Sequence, residues 1–466
     1  MNVNLGISGS ESWDVAESEE TIPLRSEDIA ARDAAVIGAV MKIRFYPMVV
    51  SRGEGVRLWD VEGREYLDFL AGWAVANTGY CHPKIVEAVT EQVKRVTHVS
   101  TISFPNETAT ALAEKLIKIT PGRHEKKVVF GLSGSDATDC VFKLLPVYTG
   151  RSCIISFLGA MHGMVSGSMV LSGHKADSKS LNTGNVIKTP YAYCYRCHLE
   201  SSYPTCNIRC VDAMEDEVFK TASPEDVAAI MIEPVQSDGG DVVPPKEWAS
   251  KIKRICDNNR ILLISDEIKV GFGRTGRMFG IEHSQVVPDV ITVGKSIASG
   301  LPLSAVIATR EMLDLAPATH FFTTAGNPIS CAAALATIEV IEKERLCNNA
   351  SRIGDYMKKR FEEMSKKHSL IGDVRGQGLI VGLELVKDRT TKEPATAEAA
   401  KVCYRAWENG LILGYVGRSS NVVEITPPLV ITEEEAEQGI QILDRTVSEV
   451  EQGKVSDEKI AQFAGW

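Results

Sequence analysis

The sequence predicts an α/β protein, with a large domain on a mostly parallel sheet and a smaller α+β domain drawn from both chain ends. Three observations carry this. From about residue 105, short apolar runs alternate with amphipathic stretches, the pattern of strands and helices in a sheet covered on both faces. Two apolar runs, 261–265 and Val290–Val293, lead directly to chemistry-bearing residues, Asp266 and Lys295. Ligands of parallel sheets gather at such carboxyl ends of strands. From about residue 347 the pattern changes to a separate α+β unit.

Taken in order, residues 1–25 are polar and acidic and read as a flexible N-terminus. Residues 26–104 form the first segment of the smaller domain. There Ser26 is placed to cap a helix over 27–42, with Ile29, Val36, Ile37 and Val40 on its apolar side, until Pro47 stops it. Alternating runs at 55–60 and 65–69, joined by Val61-Glu62-Gly63, predict a hairpin. Residues 105–346 form the large domain, with strands expected at 127–131, 153–157, 227–232, 261–265, 290–293 and 304–308. Helices fit at 245–258 and 330–343. Residues 347–466 complete the smaller domain, with a strand near 379–385 and a final helix after Thr432.

A chain of 466 residues, 44% hydrophobic, buries enough surface to fold without disulfides or metals. Its net charge of −10 argues against a nucleic-acid partner. No run of about 18 apolar residues is present, so no membrane partner is expected. The N-terminus lacks the basic and apolar regions of a secretory signal. Eleven cysteines, mostly isolated in apolar runs, fit a reducing cytoplasm.

The strand-end residues define the chemistry. A buried lysine is costly as a charge, and the cost vanishes if its amine is a covalent imine. A carboxylate at Asp266 can hold a pyridinium proton. An amine and an acid so delivered are the equipment of pyridoxal 5'-phosphate catalysis. The turn Leu132-Ser133-Gly134-Ser135, between a strand and a helix, offers free N–H groups and a hydroxyl to a phosphate. Thr323-Thr324-Ala325-Gly326-Asn327-Pro328 offers two more hydroxyls before another helix. Each feature alone is more often an ordinary capped turn or strand end; together they converge on one cofactor.

In this order the motifs resemble the class III (ω-) aminotransferase group of fold-type I pyridoxal phosphate enzymes, from about Phe45 to Leu443. The matching stretches include Gly79-Tyr80-Cys81-His82-Pro83, Ser133-Gly134-Ser135-Asp136, His162-Gly163, the run from Asp266 to Gly276, Gly294-Lys295 and Pro427-Pro428-Leu429. The resemblance implies that Gly134 and Ser135 bind the phosphate and that Met161 and His162 flank the cofactor. It also implies that Asp266 pairs with the pyridine nitrogen and that Lys295 forms the Schiff base. Thr323 would reach the phosphate of the other subunit's cofactor, which implies a homodimer.

Three departures bear on the reaction. Most transaminases of the group place Gln where this chain has Lys269. The group's racemases, α-amino-ε-caprolactam racemase above all, look similar here and in Gln236-Ser237-Asp238-Gly239-Gly240. Racemisation removes a proton from one face of Cα and returns one to the other, and Lys269 coupled to Asp238 can serve the face opposite Lys295. The same two residues could instead form a structural ion pair that seats the cofactor. Second, Glu424 stands where several transaminases carry a carboxylate-gripping arginine, which favours a lactam, an amide, or a carboxylate gripped elsewhere. Trp73 matches a substrate-stacking tryptophan of the caprolactam racemase. Third, Met161 replaces an aromatic residue that stacks on the ring; its thioether can contact a ring but cannot act as an acid.

Cys194, Cys197, Cys206 and Cys210 follow a C-x2-C-x8-C-x3-C pattern absent from the group at large. The spacing admits structural zinc, packed reduced thiols or a redox disulfide, and no catalytic metal is expected. The reading that follows is a racemase or epimerase acting at Cα of a small amino substrate, an amino acid or its amide or lactam. The alternatives are an ω-amine or 4-aminobutyrate-like aminotransferase and, least in keeping with the retained residues, a non-catalytic binding protein.

Overall fold

The computed structural model of the chain describes residues 25–173 and 185–463. The flexible segment expected over 1–25 therefore lies, but for Arg25, outside the described residues. Seven strands form the central sheet, labelled here in chain order. They are β1 (Lys126–Gly131), β2 (Cys153–Phe157), β3 (Val186–Thr189), β4 (Val227–Ile232), β5 (Leu262–Asp266), β6 (Val290–Val293) and β7 (Ser304–Thr309). Their spatial order is β1-β7-β6-β5-β4-β2-β3. Only β7 runs antiparallel to its neighbours, pairing with β1 on one side and β6 on the other. β4, Val-Ala-Ala-Ile-Met-Ile, is buried at every position, as a strand covered on both faces requires. The predicted strands fall within about one residue of those observed; β3 is an addition.

A four-stranded sheet ties the two chain ends together. Arg57–Asp60 and Glu65–Asp68 form the expected hairpin, and Glu65–Asp68 pairs in parallel with Leu411–Ile412. Behind it lies the last long helix, Glu433–Glu451. Thr432 Oγ1 accepts the N–H of Glu435 at 3.2 Å, and Glu435 accepts the N–H of Thr432 at 3.0 Å. This capping box satisfies two donors of the first turn, where three glutamates also complement the helix dipole. A third sheet contains Ile371–Gly376, Val381–Asp388, Val422–Ile425 and Gly414–Val416.

The first helix departs from expectation. It spans Ser26–Val36, is followed by a single 3-10 turn at Ala39–Met41, and buries none of its residues in this chain. Val36 and Val40 are fully solvent-facing. The periodicity there marks an apolar face, but nothing among the described residues buries it.

Arg274 is wholly buried and connects distant segments. Its Nη1 donates to the carbonyls of Leu379 (2.8 Å) and Pro427 (2.6 Å), and Nη2 to Asn77 Oδ1 (2.5 Å). Burial lowers its pKa to about 9. Gly439 is a second constraint: a Cβ there would lie 2.0 Å from Phe69 Cζ, inside the contact that closes the last helix onto the N-terminal hairpin. Gly439→Ala should destabilise the fold by about 1–3 kcal/mol despite the better helix propensity of alanine. Urea unfolding would check this, and an unchanged or higher midpoint would contradict the packing argument.

Candidate active site

Three adjacent strands deliver the site. β5 lies between β6 and β4 and ends in Asp266; Lys295 follows β6, and Glu233 to Asp238 follow β4. The carboxyl ends of parallel strands thus bring Met161, Glu233, Asp266, Lys269 and Lys295 to the wall of one small cavity, with Ser237 and Ile268. Lys295 opens a short 3-10 turn with φ +46, a left-handed conformation that disfavours a side chain and marks a residue held in place by its surroundings.

Asp266 is 3% exposed and fully oriented. Its Oδ1 accepts the N–H of Ile268 at 3.0 Å and the Thr292 hydroxyl at 3.3 Å, while His162 Nδ1 stands 2.7 Å from Oδ2. His162 is buried, with its backbone N–H on Ser172 Oγ at 2.9 Å and its Nε2 without a partner. The imidazole therefore stands behind the carboxylate and fixes its direction.

The turn after β1 has the strand-turn-helix form read from the sequence. Ser133 caps the helix Gly134–Thr149, and Asp136 Oδ2 accepts the N–H groups of Leu132 (2.7 Å) and Ser133 (3.1 Å). The N–H groups of Gly134 and Ser135 have no acceptor among the described residues. A Cβ on Gly294 would lie 3.2 Å from the backbone of Gly134, so the turn and the lysine-bearing segment meet by close backbone approach. Free N–H donors, a directed carboxylate and an enclosed lysine, with unpartnered buried atoms on His162 and Glu233, fit pyridoxal 5'-phosphate. Thr323 lies outside this cavity, exposed on the loop before the helix Pro328–Lys343.

Lys269 is buried and doubly paired. Its Nζ lies 3.1 Å from Asp238 Oδ1 and 2.5 Å from Glu424 Oε1, and 5.5 Å from the centre of the Trp73 ring. Burial alone would lower its pKa, but Glu424, Asp238 and Asp241 outweigh that and hold it well above the ordinary lysine range. Lys295 moves the other way: burial, reinforced by the charge of Lys269, lowers its pKa. Trp73 packs on Phe45 at 5.8 Å between ring centres. It sits in a left-handed turn, with φ of 49, 59, 69 and 58 at Ala71, Gly72, Trp73 and Ala74. Such a turn costs roughly 1–2 kcal/mol per non-glycine residue.

Sequence reasoning read Glu424 only as a missing arginine; the structure makes it the closest partner of Lys269. A charge inside the otherwise apolar run Val422–Ile425 was the available signal. Glu233 and Asp241 were also missed. Glu233 ends β4 as Asp266 ends β5, so the same strand-end argument reaches it. Burial raises the pKa of both carboxyls well above the usual range, aided by Asp266 at Glu233 and by Glu424 at Asp241.

The four cysteines wall a single small pocket together with His198. All eleven cysteines are free thiols. As the side chains stand, no group of three or more His, Cys, Asp or Glu among the described residues is arranged to hold a metal ion. Burial and the neighbouring thiols push Cys210 up to about 11, so it stands as a packed thiol at neutral pH.

Comparison with known proteins agrees with this geometry. The family model for class III aminotransferases matches residues 39–447. The chain is 41% identical to the leucine/methionine racemase of Thermococcus litoralis, over 95% of this chain and 100% of that protein. It is 40% identical to the alanine/serine racemase of Pyrococcus horikoshii, over 92% of both. The 5-aminovalerate aminotransferase DavT of Pseudomonas aeruginosa is 38% identical over 90% of this chain and 97% of that one. Among solved structures, an (S)-enantioselective ω-transaminase from Thermomicrobium roseum superposes with a TM-score of 0.85 at 30% identity, covering 92% and 99% of the two chains. The chain belongs to the class III aminotransferase family and is a pyridoxal-phosphate-dependent enzyme of fold type I.

Proposed function

We propose that this enzyme is an amino acid racemase or epimerase that exchanges the proton at Cα between two faces. The observation that carries this reading is the pair of lysines in one cavity with oppositely shifted proton affinities. Pyridoxal phosphate, once bound, acidifies the Cα proton of an attached amine by drawing its electrons into the ring. Gly134 and Ser135 would hold its phosphate, Asp266 its ring nitrogen, Lys295 its carbon, with Met161 and Ile268 beside the ring.

Lys295, with its lowered pKa, is the base for one face, and Lys269, kept protonated by Glu424 and Asp238, is the acid for the other. Lys269 itself follows β5, on the segment of Asp266, and its side follows from that of its partner. Lys295 comes from beyond β6 and Asp238, the partner of Lys269, from beyond β4, while β5 between them carries the ring anchor Asp266. In the reverse direction the two lysines exchange roles. Trp73 walls the substrate side next to Lys269.

An aminotransferase for ω-amines or 4-aminobutyrate-like donors is the second reading. It is favoured by the likeness to an aminotransferase over nine-tenths of the chain, and needs Lys295 alone to carry a proton on one face. A homodimer is also proposed. Thr323 is exposed and outside the cavity, on a surface that also carries Phe321, while Ile102 and Phe104 stand exposed on the loop whose Thr101 hydroxyl donates to the carbonyl of Ala325 at 2.8 Å. No helix among the described residues is long and apolar enough to cross a membrane. The free thiols support a cytoplasmic setting.

Single-enantiomer amino acids incubated in heavy water, with and without a 2-oxo acid, separate the two readings. Scrambling of chirality with deuterium at Cα and no need for the oxo acid is expected. Strict dependence on the oxo acid, with stoichiometric new amino acid, would sink the racemase reading.

Lys269→Gln alone leaves buried carboxylates unpaired and should cost about 3–5 kcal/mol of stability. The double variant Lys269→Gln/Glu424→Gln should recover most of that, keep the cofactor, and lose roughly a hundredfold or more in racemisation. Wild-type racemisation by the folded double variant would remove Lys269 from the mechanism. In the same variant the pKa of Lys295 rises, because Lys269 weighs more on it than Glu424 does. The pH limb for cofactor uptake by cofactor-free protein, followed by absorbance, should therefore move to higher pH.

Phe104→Glu with Phe321→Glu should convert the dimer to monomers in light scattering; an unchanged mass would place the interface elsewhere.

A further inference from the structure

The fold and the lysine cavity leave one motif unused: the four cysteines that share a pocket with His198. No group of three His, Cys, Asp or Glu among the described residues is arranged to hold a metal ion. A disulfide asks for less, two thiols at a time, and the backbone presents one such pair. Cys194-Tyr195-Arg196 forms a single 3-10 turn, and Cys197 follows it directly. Such a helix repeats every three residues, so side chains three apart stand over one another. Its rise of about 2 Å per residue sets the Cα atoms of Cys194 and Cys197 about 6 Å apart. That lies inside the span a disulfide bridges.

The pair is also reachable. Among the eleven thiols Cys81 and Cys194 are exposed, and of these two Cys194 alone has a second cysteine three residues away. Cys197 is half-buried. Cys206 and Cys210 line the same pocket, beside the start of the helix Arg209–Thr221. Cys210, pushed up to about 11, stays protonated and unreactive at neutral pH. Burial, with Cys206 and Cys197, raises the pKa of Cys194 as well, so its reaction gains speed as pH rises.

The turn between the two thiols is tied to the rest of the site. Lys392 Nζ donates to the carbonyl of Tyr195 at 2.7 Å, and Arg196 Nε to Glu384 Oε1 at 2.5 Å. Glu384 Oε2 accepts from Arg375 Nη1 at 2.8 Å, and Arg375 Nε donates to the carbonyl of Gly240 at 2.8 Å. Gly240 stands two residues beyond Asp238, the partner of Lys269. A chain of hydrogen bonds thus joins the thiol pair to the segment that holds the buried ammonium.

We propose that Cys194 and Cys197 are a reversible redox site, closed to a disulfide by peroxide, and that closure slows the enzyme through Arg196. The exposed Cys194 thiolate attacks one peroxide oxygen and breaks the O–O bond. It becomes a sulfenic acid and releases hydroxide, which takes up the thiol's proton as water. The Cys197 sulfur then displaces the sulfenic oxygen as a second water, and the S–S bond forms. Two thiols are oxidised and one peroxide is reduced to two waters; a small dithiol reverses the closure by exchange. Drawing the two sulfurs to bonding distance tightens the turn that holds Arg196. Its pull on Glu384 changes, Arg375 follows, and the Gly240 end of the Asp238 segment shifts. Either reaction at Lys295 would be slowed in the same way.

The test treats the holoenzyme with hydrogen peroxide, removes the excess with catalase, and compares the wild type with Cys194→Ser, Cys206→Ser and Cys210→Ser. Thiol titration of the unfolded wild type should count two fewer than the eleven of the reduced protein. Trypsin cuts after Arg196, so the disulfide should appear as peptide 189–196 cross-linked to 197–209. The cross-link should persist in Cys206→Ser and Cys210→Ser and vanish in Cys194→Ser. Turnover of the oxidised wild type should fall about fivefold or more and recover with dithiothreitol. Cys194→Ser should match the untreated wild type and ignore peroxide. Retention of all eleven thiols, a cross-link that survives Cys194→Ser or needs Cys206, or a stoichiometric metal ion shielding the four thiols would overturn the proposal. So would a disulfide formed with unchanged turnover. The thiol count and the peptide map read the site whichever reaction Lys295 carries.

Discussion

The structure of the site depends on one buried ammonium. Lys269 lies between Asp238, from the central sheet, and Glu424, from the C-terminal sheet, and thereby joins the two across the cavity. A lone charge in such a place would be untenable, and even a paired one is held only by good geometry. Here a third carboxylate, Asp241, is buried without a hydrogen bond on either oxygen, and Glu424 Oε2 has none either. Arg375 and Arg274 add positive charge around these acids, and burial with the Glu424 carboxylate raises the pKa of Asp241. The cluster thus holds a fixed cation, Lys269, with the Trp73 ring centre 5.5 Å from its Nζ.

This arrangement separates two amines that would otherwise behave alike. Both lysines line one cavity and both lose hydration. The carboxylates at Lys269 reverse the effect of burial; at Lys295 the acids Asp238, Glu424 and Asp266 oppose burial without overcoming it, and the positive charge of Lys269 adds to it. A difference in proton affinity is what a two-faced transfer needs: one group must begin empty and the other full. It arises because the acids come from β4 and the C-terminal sheet, whereas Lys295 sits beyond β6, on the other side of Asp266.

Much of this was legible in the sequence because parallel strands bury continuous apolar runs and present their next residues to a ligand. Asp266 and Lys295 were found that way, and Lys269 and Asp238 by likeness to racemases of the group. Glu233 obeys the same rule and needed only its consistent application. The ion pair of Glu424 was not legible, because contact between a C-terminal strand and residue 269 is a fact of sheet packing that no local pattern encodes. The left-handed turn at Trp73 was hidden for another reason: only Gly72 of its four residues prefers positive φ, so the tertiary structure imposes it. The apolar stripe of the first helix was visible, but its exposure in one chain could not be read from periodicity, which reports that a face is apolar and not what covers it.

Glu424 and Lys269 also constrain how such a site can be changed. An arginine at position 424, as in several transaminases of the group, would set a second cation where Glu424 Oε1 now lies 2.5 Å from the Lys269 ammonium. A glutamine at 269 with Glu424 retained would leave a buried carboxylate with no cation. Either single step costs several kcal/mol, comparable to much of a domain's stability. The two residues are therefore one unit with two self-consistent states. One carries a lysine and an acid and has a second proton donor but no carboxylate clamp. The other carries an amide and an arginine and has a clamp but no second donor. A pocket in the first state cannot clamp a carboxylate at that position and must find the carboxylate of any amino acid substrate elsewhere.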